Sequence, residues 1–548
     1  MAWLGKMAKL LLPYGAVVVS RGLDCLYVLQ VERYKPDRFR AWVVSHRRAL
    51  VPGRECALQA LTVAAAVALA MAGQHWLAPA IVWLLTGHII QSRHQSLQVS
   101  QRLHWTARVA RVAAVALGLG GFLVAWAANT VGQLLPAPHA ASRYLAGGIG
   151  GLAFVGLLTP TIVGLAARAV APLERIVARR FLAEASRRMR GYRGRVLGIT
   201  GSYGKTSTKY VVADLLAARY RVLKTPAGVN TTMGITRVIR EELQDQHEVF
   251  VVEMSAYGPG EIREVCDIVH PSLGILTAVG VQHLERFGSP ERIAEAKYEL
   301  IAALPAGAPA VVNADDLVCL RLAERARTEG KRVVLYGMGE DVPDLAVRGT
   351  EIAVGARGSR FRVVTADGQT EAFETRLLGR WNLSNVLAGI AAALEWGVPL
   401  PAMKPAVAAL VPAPRRLEIH EEGGVIRILD VANANPRGAE MALEVLAQFA
   451  GGSRILITPG MVELGSIEAE ENRRFGEKAA SVCDYVVLVG PDQTRPIRQG
   501  LAARGFPAEK VLTARQAHEV TDLLAGIVRP GDILLYENRL PDTYLEVA

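Results

Sequence analysis

Four apolar stretches crowd the first third of this 548-residue chain, near residues 57–73, 76–90, 112–131 and 144–167. No other feature narrows the fold as much. Inside a bilayer every backbone N–H and C=O must be satisfied by the protein itself, which leaves the helix as the solution for a single segment. A hydrocarbon core takes about 20 helical residues, and about 17 can suffice. The third and fourth stretches meet that length, the first is borderline and the second is short. The flanks carry the rest of the argument. Arg33, Lys35, Arg38, Arg40, Arg47, Arg48 and Arg54 precede the first stretch, and Arg93, Arg102, Arg108 and Arg111 separate the second from the third. Arg168, Arg175, Arg179 and Arg180 follow the fourth, whereas the link 71–75 has no Lys or Arg and the link 129–143 has only Arg143. Alternating rich and poor loops predict four spans with both ends in the cytoplasm. The leading segment Leu10–Gln30 is apolar but interrupted by Pro13, Arg21 and Asp24, and no clean cleavage site follows it. It reads as an interfacial helix continuing toward Trp42.

The formal net charge of +11 fits this reading. Much of the basic excess flanks apolar segments, which points to membrane lipids as partners and away from nucleic acid. The five cysteines are scattered without a CxxC pair, as expected of reduced thiols in a cytoplasmic protein rather than a disulfide frame or metal site. Residues Ala171–Arg195 read as a basic amphipathic connector.

From Arg195 onward the texture changes. Short β-branched runs (Arg195–Thr200, Val249–Val252, Leu273–Thr277, Arg427–Leu429, Ile455–Ile457, Tyr485–Val489, Ile533–Tyr536) alternate with helical patterns such as Asn382–Trp396. That alternation predicts α/β sheets with mainly parallel strands. The Pro-rich stretch Val411–Pro414 marks a boundary. The expected organisation is a helical membrane region over 1–194, a nucleotide-binding domain over 195–414 and a second α/β domain over 415–548.

The run Val196-Leu-Gly-Ile-Thr-Gly-Ser-Tyr-Gly-Lys-Thr-Ser-Thr-Lys209 is a strand, a glycine loop and a helix start. Gly201 and Gly204 let the backbone wrap a phosphate, and the helix N-terminus aims its amides there. Lys205 would neutralise the β- and γ-phosphates, and Thr206 would offer its hydroxyl to magnesium. A Gly is usual where Ile199 stands, so the loop is a shortened Walker variant. It predicts a nucleotide site formed by Gly201, Ser202, Gly204, Lys205, Thr206 and Ser207.

The same run resembles the ATP loop of the Mur ligases, which build the peptidoglycan peptide, and the likeness continues in order. Thr225-Pro and Asn230-Thr-Thr-Met-Gly234 are similar to their second signature segment, and Val252-Glu-Met254 to the strand end whose glutamate holds magnesium. Gln282-His-Leu-Glu-Arg-Phe-Gly-Ser289 with Ala294-Glu-Ala-Lys-Tyr-Glu-Leu300 resembles the histidine and carbamylated-lysine segment. Gly379-Arg-Trp-Asn-Leu-Ser-Asn385 resembles the adenine-side segment. Asp430-Val-Ala-Asn-Ala-Asn-Pro436 and Gly460-Met-Val-Glu-Leu-Gly465 look like the C-terminal domain of the D-alanyl-D-alanine-adding branch.

The resemblance covers about residues 195–540 and implies a P-loop central domain followed by a Rossmann-like C-terminal domain. It implies ATP and two Mg2+ ions as cofactors, with Thr206, Glu253, His283 and a carbamylated Lys297 as metal ligands. Lys205, Lys297, His283 and Arg416 are the implied catalytic residues, and Asn382 and Asp430 the further nucleotide contacts. The implied reaction is an ATP-dependent amide synthesis. A carboxylate attacks the γ-phosphate to give an acyl phosphate and ADP, and an amine then displaces phosphate. Negative charge builds on oxygens in both steps, which is what a lysine and magnesium ions stabilise. The implied partners are a cell-wall peptide precursor, lipid-linked at the membrane, and an amino acid or D-Ala-D-Ala as amine donor.

Departures bear on the donor. Trp381 stands where the family usually has histidine, Leu429 and Ala432 replace an aspartate and a tyrosine, and Tyr536-Glu-Asn-Arg-Leu-Pro541 stands where Lys-Gly-Ser is expected. The membrane region occupies the place of the uridine-nucleotide-binding domain. A membrane-linked poly-γ-glutamate-type synthetase is the competing enzyme reading, with Asn433-Ala-Asn-Pro436 against it. A transporter or nucleotide-dependent scaffold is the competing class, and an ABC-type Leu-Ser-Gly-Gly-Gln run is absent from the sequence.

Overall fold

The computed structural model describes residues 2–46, 50, 53–93, 103–340, 342–432 and 434–539. Arg47, Arg48, Arg102, Asn433 and Pro541, used above, lie outside them. The chain divides into a helical unit within Met1–Ala178 and an α/β unit within Arg179–Leu540.

The helical unit contains helices Ala2–Val31, Pro36–Ser45, Gly53–Met71, Leu77–Arg93 and Ala107–Leu134, and most of helix Ala140–Gly191. Each expected span falls on a helix. Three of these, Gly53–Met71, Ala107–Leu134 and Ala140–Gly191, are long and apolar enough to cross a membrane, and a shorter apolar helix covers Leu77–Ser92. The unit exposes apolar side chains such as Leu61, Leu85, Leu117, Phe122 and Trp126, whereas the α/β unit exposes few large ones. Close packing uses glycine. A Cβ on Gly147 would lie 2.8 Å from the Ala127 carbonyl oxygen, and one on Gly151 would lie 2.9 Å from the Val124 Cα. Small residues four apart let helix backbones approach closely.

Two expectations change here. The first helix runs unbroken through Pro13, Arg21 and Asp24, and side chains along it pack inside the unit. Tyr14, Cys25 and Leu29 are buried, and Arg21 pairs with Glu55 at 2.8 Å and donates to the Gly156 carbonyl at 2.7 Å. A paired, hydrogen-bonded arginine can be buried where a lone one could not. The fourth stretch and the basic connector form one helix with Pro160 and Pro172 inside it. Its last turns belong to the α/β core, where Ala185 and Met189 pack with Val196 and Ile235.

In the α/β unit, strands β1 (Arg195–Thr200), β2 (Val222–Lys224), β3 (Val249–Glu253), β4 (Leu273–Leu276), β5 (Pro309–Asn313), β6 (Arg332–Gly337), β7 (Leu345–Gly355), β8 (Gly358–Thr365) and β9 (Thr370–Thr375) form one sheet in the order β2-β3-β1-β4-β5-β6-β7-β8-β9. It is parallel from β2 through β7, and the β7–β8 and β8–β9 pairs are antiparallel. Helices cover both faces of the parallel part, so its strands are buried on both sides and read as continuous apolar runs. Leu197, Val249 and Val251 pack with helices Lys205–Leu216 and Arg380–Glu395, while Val196, Phe250 and Val252 pack with Ile235, Ile262 and Leu300 of the opposite layer.

A second sheet holds β10 (Glu418–Glu422), β11 (Val425–Asp430), β12 (Arg454–Thr458), β13 (Tyr485–Val489), β14 (Val511–Ala514) and β15 (Ile533–Glu537), in the order β10-β11-β15-β12-β13-β14. All its pairs are parallel except β10–β11.

Candidate active site

Strand β1 lies between β3 and β4, with Ile199 opposite Glu253 and Thr200 opposite Leu276. Parallel strands in register deliver their following loops to one edge, where open α/β sheets bind ligands. The glycine loop leaves β1 at that edge. Gly201 has φ +150° and a Cβ there would lie 2.1 Å from Thr277 Oγ1; Gly204 has φ +77° and caps helix Lys205–Leu216. Neither position accepts a larger residue without displacing its neighbours. Ser202 closes the loop onto Gly280, its Oγ accepting from the Gly280 N–H at 3.0 Å. Ser207 sits half-buried in the first helical turn.

Lys205 is buried and its Nζ donates to the carbonyls of Gly201 (2.7 Å) and Ser202 (2.9 Å). Burial lowers its pKa to about 8; Glu253 opposes the shift and Arg416 adds to it. Thr206 Oγ1 donates to Glu253 Oε1 at 3.1 Å, and Asn230 Nδ2 donates to the same oxygen at 3.0 Å. Lys209 Nζ donates to Glu253 Oε2 at 2.8 Å and to the Pro226 carbonyl at 3.0 Å. Burial works against ionisation of Glu253, but Lys209, Asn230 and Lys205 together bring its pKa below the ordinary carboxylate value.

His283 adopts φ +58°, and its ring lies 4.7 Å from that of Tyr257. Its Nδ1 bonds to Glu463 Oε2, whose other oxygen accepts from Arg286 Nη2. Lys297 is buried on helix Pro290–Ala303 with Nζ 5.9 Å from the Phe287 ring centre, and no carboxylate pairs with it among the described residues. Burial holds its pKa well below the usual lysine value, and the Lys205 charge lowers it further. Lys205 acts on His283 in the same direction, so these three groups share one field.

The segment Gly379–Asn385 closes the other side of the loop. Tyr203 and Trp381 meet edge to face at 6.4 Å, and Asn385 Oδ1 accepts from Thr208 Oγ1 at 3.0 Å. Asn382 is buried, donating to the Leu378 carbonyl at 2.9 Å and accepting from Asn385 Nδ2 at 3.3 Å. Arg416 lies between Arg415 and Leu417, both with positive φ, and its charge acts on both Lys205 and Asp430. Asp430 ends β11 opposite Glu537 of β15. Burial raises both carboxyls, Glu537 to about 8, and Thr458 Oγ1 donates to Glu537 Oε2 at 2.7 Å.

The structure thus brings Thr206 and Glu253 into direct contact, and the Lys205 charge acts on Glu253, His283 and Lys297 and feels that of Arg416. Reading the sequence missed Lys209, Asn230, Arg286, Glu463 and Glu537. All five stand inside the motif segments of the sequence, but their partners are remote in the chain. Among the described residues no cluster of three or more His, Cys, Asp or Glu cages a metal. Magnesium does not need one, since it commonly takes one or two carboxylates and completes its shell with water and substrate phosphates. Thr206 and Glu253, 3.1 Å apart beside a glycine loop, suit that role.

The Mur ligase middle domain family matches residues 199–393, and the Mur ligase, glutamate ligase domain family matches residues 415–536. The UDP-N-acetylmuramoyl-tripeptide–D-alanyl-D-alanine ligase of Mycobacterium leprae is 32% identical over 367 residues, covering 62% of this chain and 70% of that protein. MurF from Acinetobacter baumannii is similar with a TM-score of 0.59 and 25% identity, over 66% of this chain and 78% of that one. MurF ligase from Thermotoga maritima, in complex with ADP, gives the same TM-score and identity over 68% and 82%. The chain belongs to the Mur ligase family, and it is an ATP-dependent ligase. Within that family it is MurF-like in both its ligase domains.

Proposed function

We propose that this ligase joins an amino acid or dipeptide, D-alanyl-D-alanine in the first instance, to the peptide carboxylate of a peptidoglycan precursor at the membrane. The contact of Thr206 with Glu253 beside the buried Lys205 carries the reading, because it supplies a cation site and a charge where a γ-phosphate would be attacked. Lys205 exchanges its loop carbonyls for phosphate oxygens, and the amides around Gly201, Ser202, Gly204 and Ser207 hold the remaining phosphates. Thr206 and Glu253 hold one Mg2+; His283 and Lys297 hold a second. Bound magnesium would neutralise charge on the transferred phosphoryl group. Asn382 meets the adenine, while Arg416 and Asp430 reach the nucleotide from the C-terminal domain (415–548) to close it on the central domain (195–414).

Lys297 is the group for which an unmodified lysine makes least sense. A buried ammonium without a carboxylate partner is costly. Its lowered pKa favours the neutral amine, which adds CO2 and releases a proton to give a carbamate. That product is a carboxylate-like metal ligand.

The region 1–194 spans the membrane four times with both ends cytoplasmic. Its apolar helices, its exposed apolar side chains and the alternating basic loops support this reading. Confinement near the bilayer raises the effective concentration of a membrane-held acceptor, and Arg175, Arg179 and Arg180 would favour a pyrophosphate-bearing lipid. The acceptor is therefore a lipid-linked precursor. To test both parts, detergent-solubilised protein is incubated with ATP, candidate amines and either lipid-linked or soluble uridine-linked peptide, and products are identified by mass spectrometry. Amine-dependent ADP release with preference for the lipid-linked acceptor is expected. Equal use of the soluble precursor removes the lipid part, and ATP turnover indifferent to amines removes the ligase reading.

A further inference from the structure

Two non-glycine residues in the left-handed region, His283 at φ +58° and Glu463 at φ +65°, meet across the two sheets of the α/β unit. Such conformations cost free energy at each position and persist where the surroundings impose them. Here the surroundings form a closed set. Glu463 binds His283 through one oxygen and Arg286 through the other, and the Glu285 N–H donates to the Glu463 carbonyl at 3.3 Å. Arg286 lies over the Tyr257 ring at 4.7 Å, the ring that also flanks His283. Gly465, at φ +61°, brings the same loop against Glu285, where an added Cβ would be 3.6 Å from the Glu285 Cα.

A carboxylate on Nδ1 places the imidazole proton there and leaves the Nε2 lone pair free. Ligating histidines are commonly oriented in this way by an outer carboxylate, which fixes the tautomer and raises ligand basicity. The unusual feature is the origin of the carboxylate, in the loop after β12 of the second sheet rather than in the domain that carries the glycine loop. We infer that Glu463 is a positioning residue that completes the His283 metal site only when the C-terminal domain docks on the central domain. Assembly of the second cation site is thereby tied to domain closure. Docking of the loop Gly460–Gly465 and readiness for phosphoryl transfer become one event. This inference rests on the proposed role of His283 toward a cation.

The test counts Mn2+ bound to the full-length, detergent-solubilised protein in the presence of ADP, using the electron paramagnetic resonance signal of free Mn2+. Wild type is expected to bind two ions. Glu463→Gly keeps the positive φ without strain and removes the carboxylate. It should weaken one of the two sites roughly 10–100-fold, the usual effect of losing an outer-shell partner. Glu463→Gln, whose amide oxygen still accepts from Nδ1–H, should fall between. Two sites of unchanged affinity in both variants overturn the inference. A single site in wild type overturns the His283 metal reading on which it stands. If Glu463→Gly fails to bind ADP, the Glu463→Gln comparison decides by the same criterion.

Discussion

Lys209 Nζ lies 2.8 Å from Glu253 Oε2, and both side chains are out of contact with solvent. The pair joins the helix after the glycine loop to the end of β3 and leaves Glu253 Oε1 to Thr206 and Asn230. Breaking a buried pair strands a charge, which typically costs about 3–5 kcal/mol. Lys209→Met should therefore lower the unfolding midpoint sharply, whereas the double variant with Glu253→Gln should recover part of the loss. Denaturant unfolding of the single and double variants measures this, and additive losses would show that the pair is not coupled.

Lys205→Ala should reduce amine-dependent ATP turnover by at least 10²–10³-fold, the scale for removing one group aimed at developing charge. The fold should persist, because the Lys205 ammonium donates to carbonyls of its own loop, those of Gly201 and Ser202. Steady-state ADP release and circular dichroism on the same preparation provide the check.

Lys297→Ala should lose activity and regain part of it in millimolar short-chain carboxylic acids, which supply the missing carboxylate. Wild type should gain nothing from them. A fully active alanine variant, indifferent to added acid, would end the carbamate proposal.

Glu537 gives a pH dependence with a definite sign. Burial raises its pKa from 4.5 to about 8. The folded state then holds this proton more tightly than the unfolded chain does, so its contribution to stability is complete below about pH 4.5. It declines as pH rises toward 8, by up to about 1.4 kcal/mol per pH unit. Glu537→Gln stays neutral. Its stability relative to wild type should rise between pH 5 and 8, as read from unfolding midpoints across that range.

Topology reporters fused at Gln133 and at Trp105 should sit on opposite sides of the membrane, with Trp105 cytoplasmic. Gln133 lies in the last turn of helix Ala107–Leu134 and Trp105 in the link before that helix starts. Agreement of the two reporters would contradict four spans.

The sequence by itself determined the elements whose signals are local. Apolar length located helices of the N-terminal helical unit. Glycines and a lysine between a β-branched run and a helix start located the phosphate loop, and strand β1 spans the expected Arg195–Thr200. The helix expected over Asn382–Trp396 forms over Arg380–Glu395. Strands β7 to β9 escaped notice because their charged, half-exposed residues carry no continuous apolar run, and the antiparallel pairing that uses them is a property of the sheet. The continuity of the first helix was hidden for a related reason: Arg21 reads as an interruption until Glu55 and the Gly156 carbonyl, remote in the chain, satisfy it. The candidate site divides along the same line. Lys205, Thr206 and Glu253 follow from motifs a few residues long. The carboxylate that holds His283 comes from a loop 180 residues away, and only the docking of one sheet against the other brings it there. Local patterns set which backbone a segment adopts, because that depends on nearest neighbours. Which charges meet depends on chain closure over long distances, and that is decided by the packed tertiary structure.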